Sequence, residues 1–261
     1  MNLVVTTAHK PTPEMVGAAA ELAERLAAPL KPRGNASLDA LRRESAVDTL
    51  LVVTKRGPVV STPGGEYFFH LNLAELRIKN LISGKPDHMV SAMDLAAGMT
   101  VLDCTLGLAT DAIVAAYVAG AAGKVVGLES SAVIAAVTGL GLARFVSDQA
   151  GITAALRQIR VLNADFNQHL LTLPDRSFDI VFFDPMFRAP IIDSSNLKPL
   201  RFLADDRPLS CSAVREACRV ARRRVVMKEK NGSPEFARLG ITDLYGGKYS
   251  SVQYGVIAVG G

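Results

Sequence analysis

The sequence predicts an α/β fold: a doubly wound, mostly parallel β-sheet with a C-terminal antiparallel hairpin, preceded by a small N-terminal α/β module. From residue 99 onward, short apolar runs alternate with helical patterns, which is typical of a parallel sheet covered by helices on both faces. The last two strand patterns are joined by Gly246, Gly247 and Lys248, which favours a hairpin. With 261 residues, of which 49% are hydrophobic and 21% charged, the chain can form one large domain and one small one.

The N-terminal α/β module is predicted to span residues 1–70 and is a candidate for RNA contact. Its strand patterns lie at 3–8, 49–54, 58–61 and 66–70. Thr12, followed by Pro13, and Ser37 are suitable N-caps for two helices between the first and second strands. Residues 71–98 are predicted to be a helical connection, because 72–82 carries an apolar stripe at helical spacing.

The second domain is predicted to span residues 99–261. Its parallel strands are expected at 99–103, 124–128, 159–163, 178–184 and 224–230. Helices are expected near 111–119, 131–149, 166–173 and 210–221, and the hairpin strands near 241–245 and 252–259. Because the parallel strands run in the same direction, their carboxyl ends are expected to meet at one edge of the sheet.

The stretch VLDCTLGLATD, residues 101–111, predicts a strand, a tight turn and the start of a helix. Ligands of open α/β sheets bind at such turns, and Gly107 lets a ligand approach the backbone. The glycine spacing is not that of the dinucleotide motif GxGxxG. No Lys or Arg lies between Asp103 and Asp111, which favours a positively charged ligand such as S-adenosylmethionine (SAM). The alternative is an ordinary turn between a strand and a helix.

Three further acidic residues lie at the ends of consecutive predicted strands: Glu129, Asp165 and Asp184. An acid after the second strand commonly binds ribose hydroxyls, which suits Glu129. Asp165 is followed by Phe166, so this pair is suited to an adenine amine and an adenine ring. A single acid at a strand end is weak evidence, but four at the same sheet edge indicate one binding site.

The tetrapeptide Asp184-Pro185-Met186-Phe187 follows the fourth strand of the second domain. An exocyclic base amine is a poor nucleophile, because its lone pair is delocalised into the ring. The Asp184 side chain and the Pro185 carbonyl could accept its two N–H groups, and Phe187 could stack on an extruded base. The alternative is a structural turn, in which Asp-Pro is common.

These motifs together resemble the class I SAM-dependent methyltransferases over about residues 99–259. The resemblance implies SAM as cofactor and a Rossmann-like sheet. The cofactor-binding residues that it implies are Asp103, Thr105, Gly107, Thr110 and Asp111 around the methionine part, Glu129 and Ser130 at the ribose, Asp165 and Phe166 at the adenine, and Asp184. The catalytic positions that it implies are Asp184, Pro185, Met186 and Phe187, where nucleic-acid amino-methyltransferases carry (D/N)PP(F/Y). Met186 departs from the second proline of that motif.

A closer resemblance is to the small-subunit ribosomal RNA guanine-N2 methyltransferases, whose members show D-x-T-x-G-L-x-x-D and DPMF. This chain matches them at Asp103, Thr105, Gly107, Leu108, Asp111, Glu129 and Asp184 to Phe187. It departs from the proteobacterial type at Thr110, where Arg is frequent, and at Arg188, where proline is frequent. The resemblance implies methyl transfer to a guanine amine, with ribosomal RNA or the small ribosomal subunit as substrate.

The segment from 188 to 208 shows little periodicity and is interpreted as a mobile segment that contacts RNA. Its candidate RNA-binding residues are Arg188, Lys198 and Arg201. The net charge of +4 and the pI near 9.0 favour a polyanionic partner, although many enzymes that bind no nucleic acid are this basic. A basic run from Arg219 to Lys230 fits RNA contact and a solvated helix end equally well.

Several classes of protein are disfavoured by the composition. No apolar run is long enough to cross a bilayer and no secretory signal is visible, so a cytoplasmic protein without membrane contact is expected. Three cysteines without a CxxC motif and scattered histidines indicate neither disulfides nor a metal site. The oligomeric state is left open. The alternatives are a methyltransferase for adenine N6 or a protein amide, a noncatalytic RNA-binding protein with a SAM pocket, and, least favoured by its glycine spacing, an NAD-dependent oxidoreductase.

Overall fold

The computed structural model describes residues 2–186, 198–247 and 250–260. Its strands are β1 (Leu3–Thr7), β2 (Thr49–Thr54), β3 (Gly57–Thr62), β4 (Gly65–Phe68), β5 (Thr100–Asp103), β6 (Lys124–Glu129), β7 (Ile159–Asn163), β8 (Phe178–Phe183), β9 (Ala221–Lys230), β10 (Asp243–Tyr245) and β11 (Val252–Ala258). Its helices are α1 (Pro13–Arg25), α2 (Leu38–Ser45), α3 (Asn72–Ile82), α4 (His88–Met93), α5 (Thr110–Ala119), α6 (Ala132–Arg144), α7 (Ile152–Gln158), α8 (Phe166–Thr172), α9 (Lys198–Leu203), α10 (Cys211–Val220) and α11 (Pro234–Arg238).

The larger sheet has the strand order β10-β11-β9-β8-β5-β6-β7 within the described residues. Strands β5 to β9 are parallel, whereas β11 runs antiparallel to β9 and β10 antiparallel to β11. This confirms the predicted doubly wound sheet with its C-terminal hairpin. The order reverses at β5, since β6 and β7 follow on one side and β8 and β9 on the other. Ligands of such sheets bind at this reversal, beyond the carboxyl ends of the strands.

Apolar helices cover both faces of this sheet. On one face α3, α4, α5 and α7 share a buried cluster with β5 and β8, which includes Ile113, Ile152 and Ile180. On the other face α8 and α10 pack on β8 and β9 through residues such as Leu170 and Ala217. With both faces buried, the central strands read as continuous apolar runs instead of alternating patterns.

The smaller sheet has the order β1-β2-β3-β4, with β1 parallel to β2 and the other pairs antiparallel. Its apolar face shares one buried cluster with Val133, Ile134 and Val137 of α6. The Tyr67 hydroxyl of β4 is also 3.0 Å from Thr138 Oγ1 on α6. Helix α1 of the N-terminal module also contributes residues to this cluster. The N-terminal sheet therefore packs directly on a helix of the larger domain.

Three local differences from the predicted elements have clear causes. The helix predicted over 131–149 ends at Arg144, because Phe145 is extended, and α7 begins after Gly151 with a φ of +80°. Asp87, in the predicted helical connection, accepts hydrogen bonds from two backbone amides and caps α4, a second helix beyond the one predicted over 72–82. Strand β9 begins at Ala221, three residues earlier than predicted, because its pairing with β8 starts opposite Phe178.

The segment from 188 to 208 falls only partly within the described residues. Its described part contains the unpredicted α9, which packs against β3 and β4. Leu203 is 5% exposed and belongs to the apolar cluster of the N-terminal sheet, which explains why this part is helical despite its weak periodicity. Among the described helices, none combines the length and apolarity that crossing a membrane requires.

Candidate active site

A cavity of about 670 Å³ lies beyond the carboxyl ends of β5, β6 and β8. Most of the predicted site residues line it: Asp103, Thr105, Gly107, Thr110, Asp111, Glu129, Ser130, Phe166, Asp184, Pro185 and Met186. Two other predicted residues, Phe187 and Arg188, lie outside the described residues. The volume is within the range of sites that bind drug-sized ligands and cofactors.

The turn between β5 and α5 forms one wall of this cavity. Asp103 is 2% exposed, and its Oδ1 accepts a hydrogen bond from the Thr105 amide at 3.0 Å. Gly107 has a φ of +51° and Ala109 a φ of +62°, so the backbone turns sharply before Thr110 starts the helix. This turn presents backbone to the cavity and brings the Asp103 carboxylate close to it.

Glu129 connects this turn to the next one. Its Oε2 accepts from the Gly107 amide at 3.0 Å and its Oε1 from the Ser131 amide at 2.8 Å. Burial raises the pKa of Glu129, although both backbone amides favour its ionised form. Each carboxylate oxygen has a second lone pair, so Glu129 can still accept hydrogen bonds from two ribose hydroxyls.

The same cavity is lined by a set of charged side chains that we call the buried ionic cluster: Arg77, Asp111, Asp184 and Lys228, whose side chains are between 6% and 28% exposed. Asp111 accepts from Arg77 Nη1 at 2.5 Å and from Lys228 Nζ at 2.9 Å. Lys228 also donates to Asp184 Oδ2 at 2.7 Å. Arg77 is fixed in turn by both carboxylate oxygens of Asp87, at 2.7 and 2.9 Å. The cluster thus joins α3, α5, β9 and the residue after β8.

The carboxyl groups around this cluster have unequal proton affinities. Although burial favours its neutral form, Lys228 and Arg77 hold the pKa of Asp111 well below its ordinary value. Burial raises the pKa of Asp184 to about 6. The Lys228 ammonium lowers this pKa, and the Asp111 carboxylate partly cancels that lowering. Burial and the charges of Asp111 and Asp184 raise the pKa of Asp103 to about 8.

Asp103 is the carboxyl group of this set that receives no cation in a direct hydrogen bond or ion pair among the described residues. A buried carboxylate without such a partner is costly, and a ligand cation would remove that cost. The ammonium and sulfonium of SAM are such cations, so the residues of this wall fit the cofactor that the sequence predicts.

The adenine end of the predicted site is built differently. Asp165 caps α8 by accepting from the Asn167 amide at 2.9 Å, and its Oδ2 accepts from Arg207 Nη2 at 2.7 Å. Although partial burial opposes it, this pairing lowers the pKa of Asp165. Phe166 lines the cavity with its ring edge-on to Phe183, 5.5 Å between centroids. Asp165 itself is beside the cavity, and Arg207 lines it.

Sequence reasoning missed the lysine and arginine side chains of the site. Lys228 was assigned to a basic run, yet its side chain is 16% exposed and contacts two carboxylates. The sequence feature that could have identified Lys228 is its position near the carboxyl end of a predicted strand, at the same sheet edge as Asp184. Arg77 lies within the helix predicted over 72–82 and was given no role there, and nothing local marked Arg207. Of the predicted RNA-binding residues, Lys198 and Arg201 lie on α9, but their side chains are outside the described part of the structure.

Comparisons with known proteins agree with this geometry. A family model described as "Putative SAM-dependent methyltransferase" matches residues 68–247. The uncharacterized protein YpiP of Bacillus subtilis is 36% identical over 254 residues, which is 97% of this chain and 98% of that protein. A shorter match, 36% identical over 106 residues and covering 40% of this chain and 41% of the relative, is to the ribosomal RNA small subunit methyltransferase J of Aeromonas salmonicida.

A solved structure shares the fold along nearly the whole chain. It is a SAM-dependent methyltransferase of Neisseria gonorrhoeae, with a TM-score of 0.67 and 17% identity, covering 98% of this chain and 95% of that one. The family match includes the turn after β5, Glu129, Asp165 and the DPM sequence after β8. The chain therefore belongs to this family of SAM-dependent methyltransferases, and its cofactor is S-adenosylmethionine.

Proposed function

We propose that this protein methylates the exocyclic N2 amine of a guanine in small-subunit ribosomal RNA. The observation that carries the proposal is the position of Asp184, which follows β8 and faces the cavity with its carboxylate held by Lys228. The DPMF sequence and the partial similarity to a ribosomal RNA small subunit methyltransferase support the same substrate class.

Asp184 is suited to activate an amine because both its backbone and its side chain are fixed. Its amide donates to Thr105 Oγ1 at 2.6 Å, and its Oδ2 receives the Lys228 ammonium at 2.7 Å. A carboxylate fixed in this way accepts an N–H of the amine and favours a lone pair directed out of the base plane. Positive charge develops on the nitrogen during transfer, so this hydrogen bond strengthens in the transition state.

Pro185 and Met186 line the same cavity beside Asp184. The Pro185 carbonyl is the proposed acceptor for the second N–H of the amine, and Phe187 is the proposed stacking partner for the base. When bound, SAM supplies an electrophilic methyl group on its sulfonium. The residues around it exclude water and orient the amine, which is how a weak nucleophile is made reactive.

The proposed partner is ribosomal RNA, either free or in the small subunit, and this substrate implies a cytoplasmic location. Helix α9 carries Lys198 and Arg201 and joins the N-terminal sheet to the segment that contains Arg207. Replacing Lys198 and Arg201 together by Ala should weaken RNA binding for every sequence and reduce the slope of log affinity against log salt by about 1.4 to 1.8. An unchanged slope would mean that neither residue contacts RNA phosphates.

The direct test is transfer of a labelled methyl group from SAM to small ribosomal subunits, or to RNA extracted from them, taken from a strain without this enzyme. Nucleoside analysis of the product is expected to give N2-methylguanosine. Label in N6-methyladenosine or in ribosomal protein would identify the alternative amine substrates instead. The matched control is the Asp184→Ala protein, which is expected to leave both preparations unlabelled on the same timescale.

A further inference from the structure

Lys228 is the cationic centre of the buried ionic cluster. Its side chain is 16% exposed, and its ammonium bridges Asp111 Oδ2 at 2.9 Å and Asp184 Oδ2 at 2.7 Å. Because the lysine lies on β9, next to β8 in the sheet, its ammonium meets Asp184 just past the end of the neighbouring strand. Its ammonium thus satisfies two carboxylates at once.

We propose that Lys228 is a positioning residue for methyl transfer, whose ammonium orients the Asp184 carboxylate and keeps it ionised for the target amine. This inference rests on the proposed function, because Lys228 acts only through Asp184. It differs from a purely structural role, in which the lysine would only stabilise the fold and the protonation state of Asp184 would not limit the rate of methyl transfer.

The Lys228 ammonium can orient Asp184 because other side chains fix the position of the ammonium. Asp111 binds the Lys228 ammonium and is bound by Arg77, which two hydrogen bonds connect to Asp87. Asp87 is in turn fixed by capping α4. The position of the ammonium is therefore set by three secondary-structure elements, and a group fixed in advance does not need to reorganise during the reaction.

The charge balance around Asp184 explains why an ammonium is needed. The titratable and charged groups that line the cavity on the elements around it are Arg77 on α3, Asp87 and His88 at the start of α4, Asp103 on β5, Asp111 on α5, Glu129 on β6, Asp205 and Arg207 after α9, Lys228 on β9 and Tyr254 on β11. Of the cations in this set, Lys228 makes direct contact with Asp184. Like-charged neighbours and burial both favour a protonated Asp184, and the ammonium opposes them.

The experiment measures single-turnover methyl transfer against pH, with RNA and SAM saturating. In the wild-type protein the rate should fall below about pH 6, where Asp184 takes up a proton. Lys228→Met should move this fall in rate, the acidic limb of the pH profile, to higher pH by about one to three units. A close positive charge lowers the pKa of a carboxyl group by that amount, and the substitution removes the charge. The rate near pH 7 then falls about two- to hundredfold and recovers to about half or more of the wild-type rate near pH 9.

Two further variants separate this effect from damage to the fold. Asp111→Asn removes a negative charge near Asp184, so that the Lys228 ammonium pairs with Asp184 alone. The acidic limb should therefore move to lower pH, opposite to its movement in Lys228→Met. Lys228→Arg keeps the cation and should stay near the wild-type profile. Lys230→Met is the matched control: it is the same substitution two residues along β9, at an exposed position, and should leave the limb in place.

A second measurement needs no RNA. The carbon signal of the Asp184 carboxyl group, assigned with Asp184→Asn, is followed by NMR against pH in the full-length protein. The pH at the midpoint of this titration should be higher in Lys228→Met than in the wild-type protein. If the wild-type protein does not methylate RNA but this midpoint moves, the proposed substrate is wrong and the coupling between Lys228 and Asp184 stands.

Two results would overturn the inference. One is an Asp184 midpoint that does not change in Lys228→Met. The other is a Lys228→Met enzyme that loses the same fraction of its rate at every pH, because a merely structural lysine would reduce the amount of active protein without moving the limb. Thermal melting of each variant shows whether the protein compared at each pH is folded.

Discussion

The two ends of the cavity are built on different physical principles. At the end formed by β5, β8 and β9, Asp103 and Asp111 are almost fully buried, and Arg77 and Lys228 bind Asp111 from two sides. At the end formed by β6 and β7, the Asp165 side chain is 28% exposed, as is that of Asp184, but its cation is Arg207, which is 56% exposed, whereas Lys228 is 16% exposed. Burial strengthens electrostatic interactions, whereas solvent weakens those at the surface.

This difference matches the chemistry expected at each end. In the proposed reaction, charge develops on the target nitrogen, so fixed and poorly solvated charges belong next to it. Adenine binding is uncharged and depends on hydrogen bonds and stacking, so a solvated carboxylate and an aromatic ring are sufficient. We therefore expect substitutions to have large effects at the charged end and small effects at the adenine end.

The largest effect is expected for Asp184→Ala. Removing one fixed electrostatic partner of the transition state should lower kcat by about a hundredfold or more, measured as single-turnover transfer with RNA and SAM saturating. Asp184→Asn should lose less, because an amide oxygen still accepts a hydrogen bond. The fold should survive, since Lys228 keeps Asp111 as a partner. A wild-type rate for Asp184→Ala would leave the DPMF sequence as a structural turn.

The second effect concerns Glu129, which lies between the two ends. Glu129→Ala should weaken SAM binding at least about tenfold, since it removes the proposed ribose contacts and releases the amides of Gly107 and Ser131. Glu129→Gln keeps the side-chain size and one good acceptor, so its loss should be smaller. Calorimetry is the measurement, and an unchanged affinity for Glu129→Ala would contradict the assignment of this residue to the cofactor.

The third effect is the pH dependence of SAM binding. The pKa of Asp103 is raised to about 8, so below that pH the group is mostly neutral and must lose its proton to meet a cation. Affinity should therefore rise with pH, by up to about tenfold per pH unit between about pH 6.5 and 7.5. Asp103→Asn should bind more weakly and show a flat profile over this range. A flat profile in the wild-type protein would remove Asp103 from the cofactor contacts.

The smallest effect is expected at the adenine end. Because exposed ion pairs contribute at most about 1 kcal/mol, Arg207→Ala should change SAM affinity by less than about fivefold. If Arg207 competes with adenine for Asp165, the change is a gain in affinity. A loss of tenfold or more would identify Arg207 as a cofactor contact and would make the two ends more alike than their burial suggests.

Sequence reasoning predicted the larger sheet well because its signals are local. Apolar runs, glycine turns and capping residues act over a few positions, and each of them marked a strand, a turn or a helix start that the structure confirms. The acids at strand ends were predictable for the same reason, since parallel strands place their carboxyl ends along one edge. Asp103, Glu129 and Asp184 therefore line one cavity, although they are far apart in the chain.

Local signals failed where a distant partner decides the outcome. Helix α9 has weak periodicity, and it forms against the N-terminal sheet, where Leu203 is buried. The helix predicted over 131–149 was too long, because its apolar residues continue past the point where Phe145 leaves the helical conformation. For α9, tertiary packing overrode the local preference of the chain.

By itself the sequence determined the strands of the larger sheet, the cationic character of the ligand and the four acids at strand ends, of which Asp103, Glu129 and Asp184 line the cavity. Only the tertiary structure decided which charges meet, because Arg77 and Lys228 are 34 and 117 positions away from Asp111 along the chain and contact it only after folding. The energy of a charge depends on burial and on its nearest counter-charge, and both are properties of the packed molecule. For that reason a lysine that looked like part of a surface run lies, in the folded protein, against the carboxylate proposed to bind the substrate.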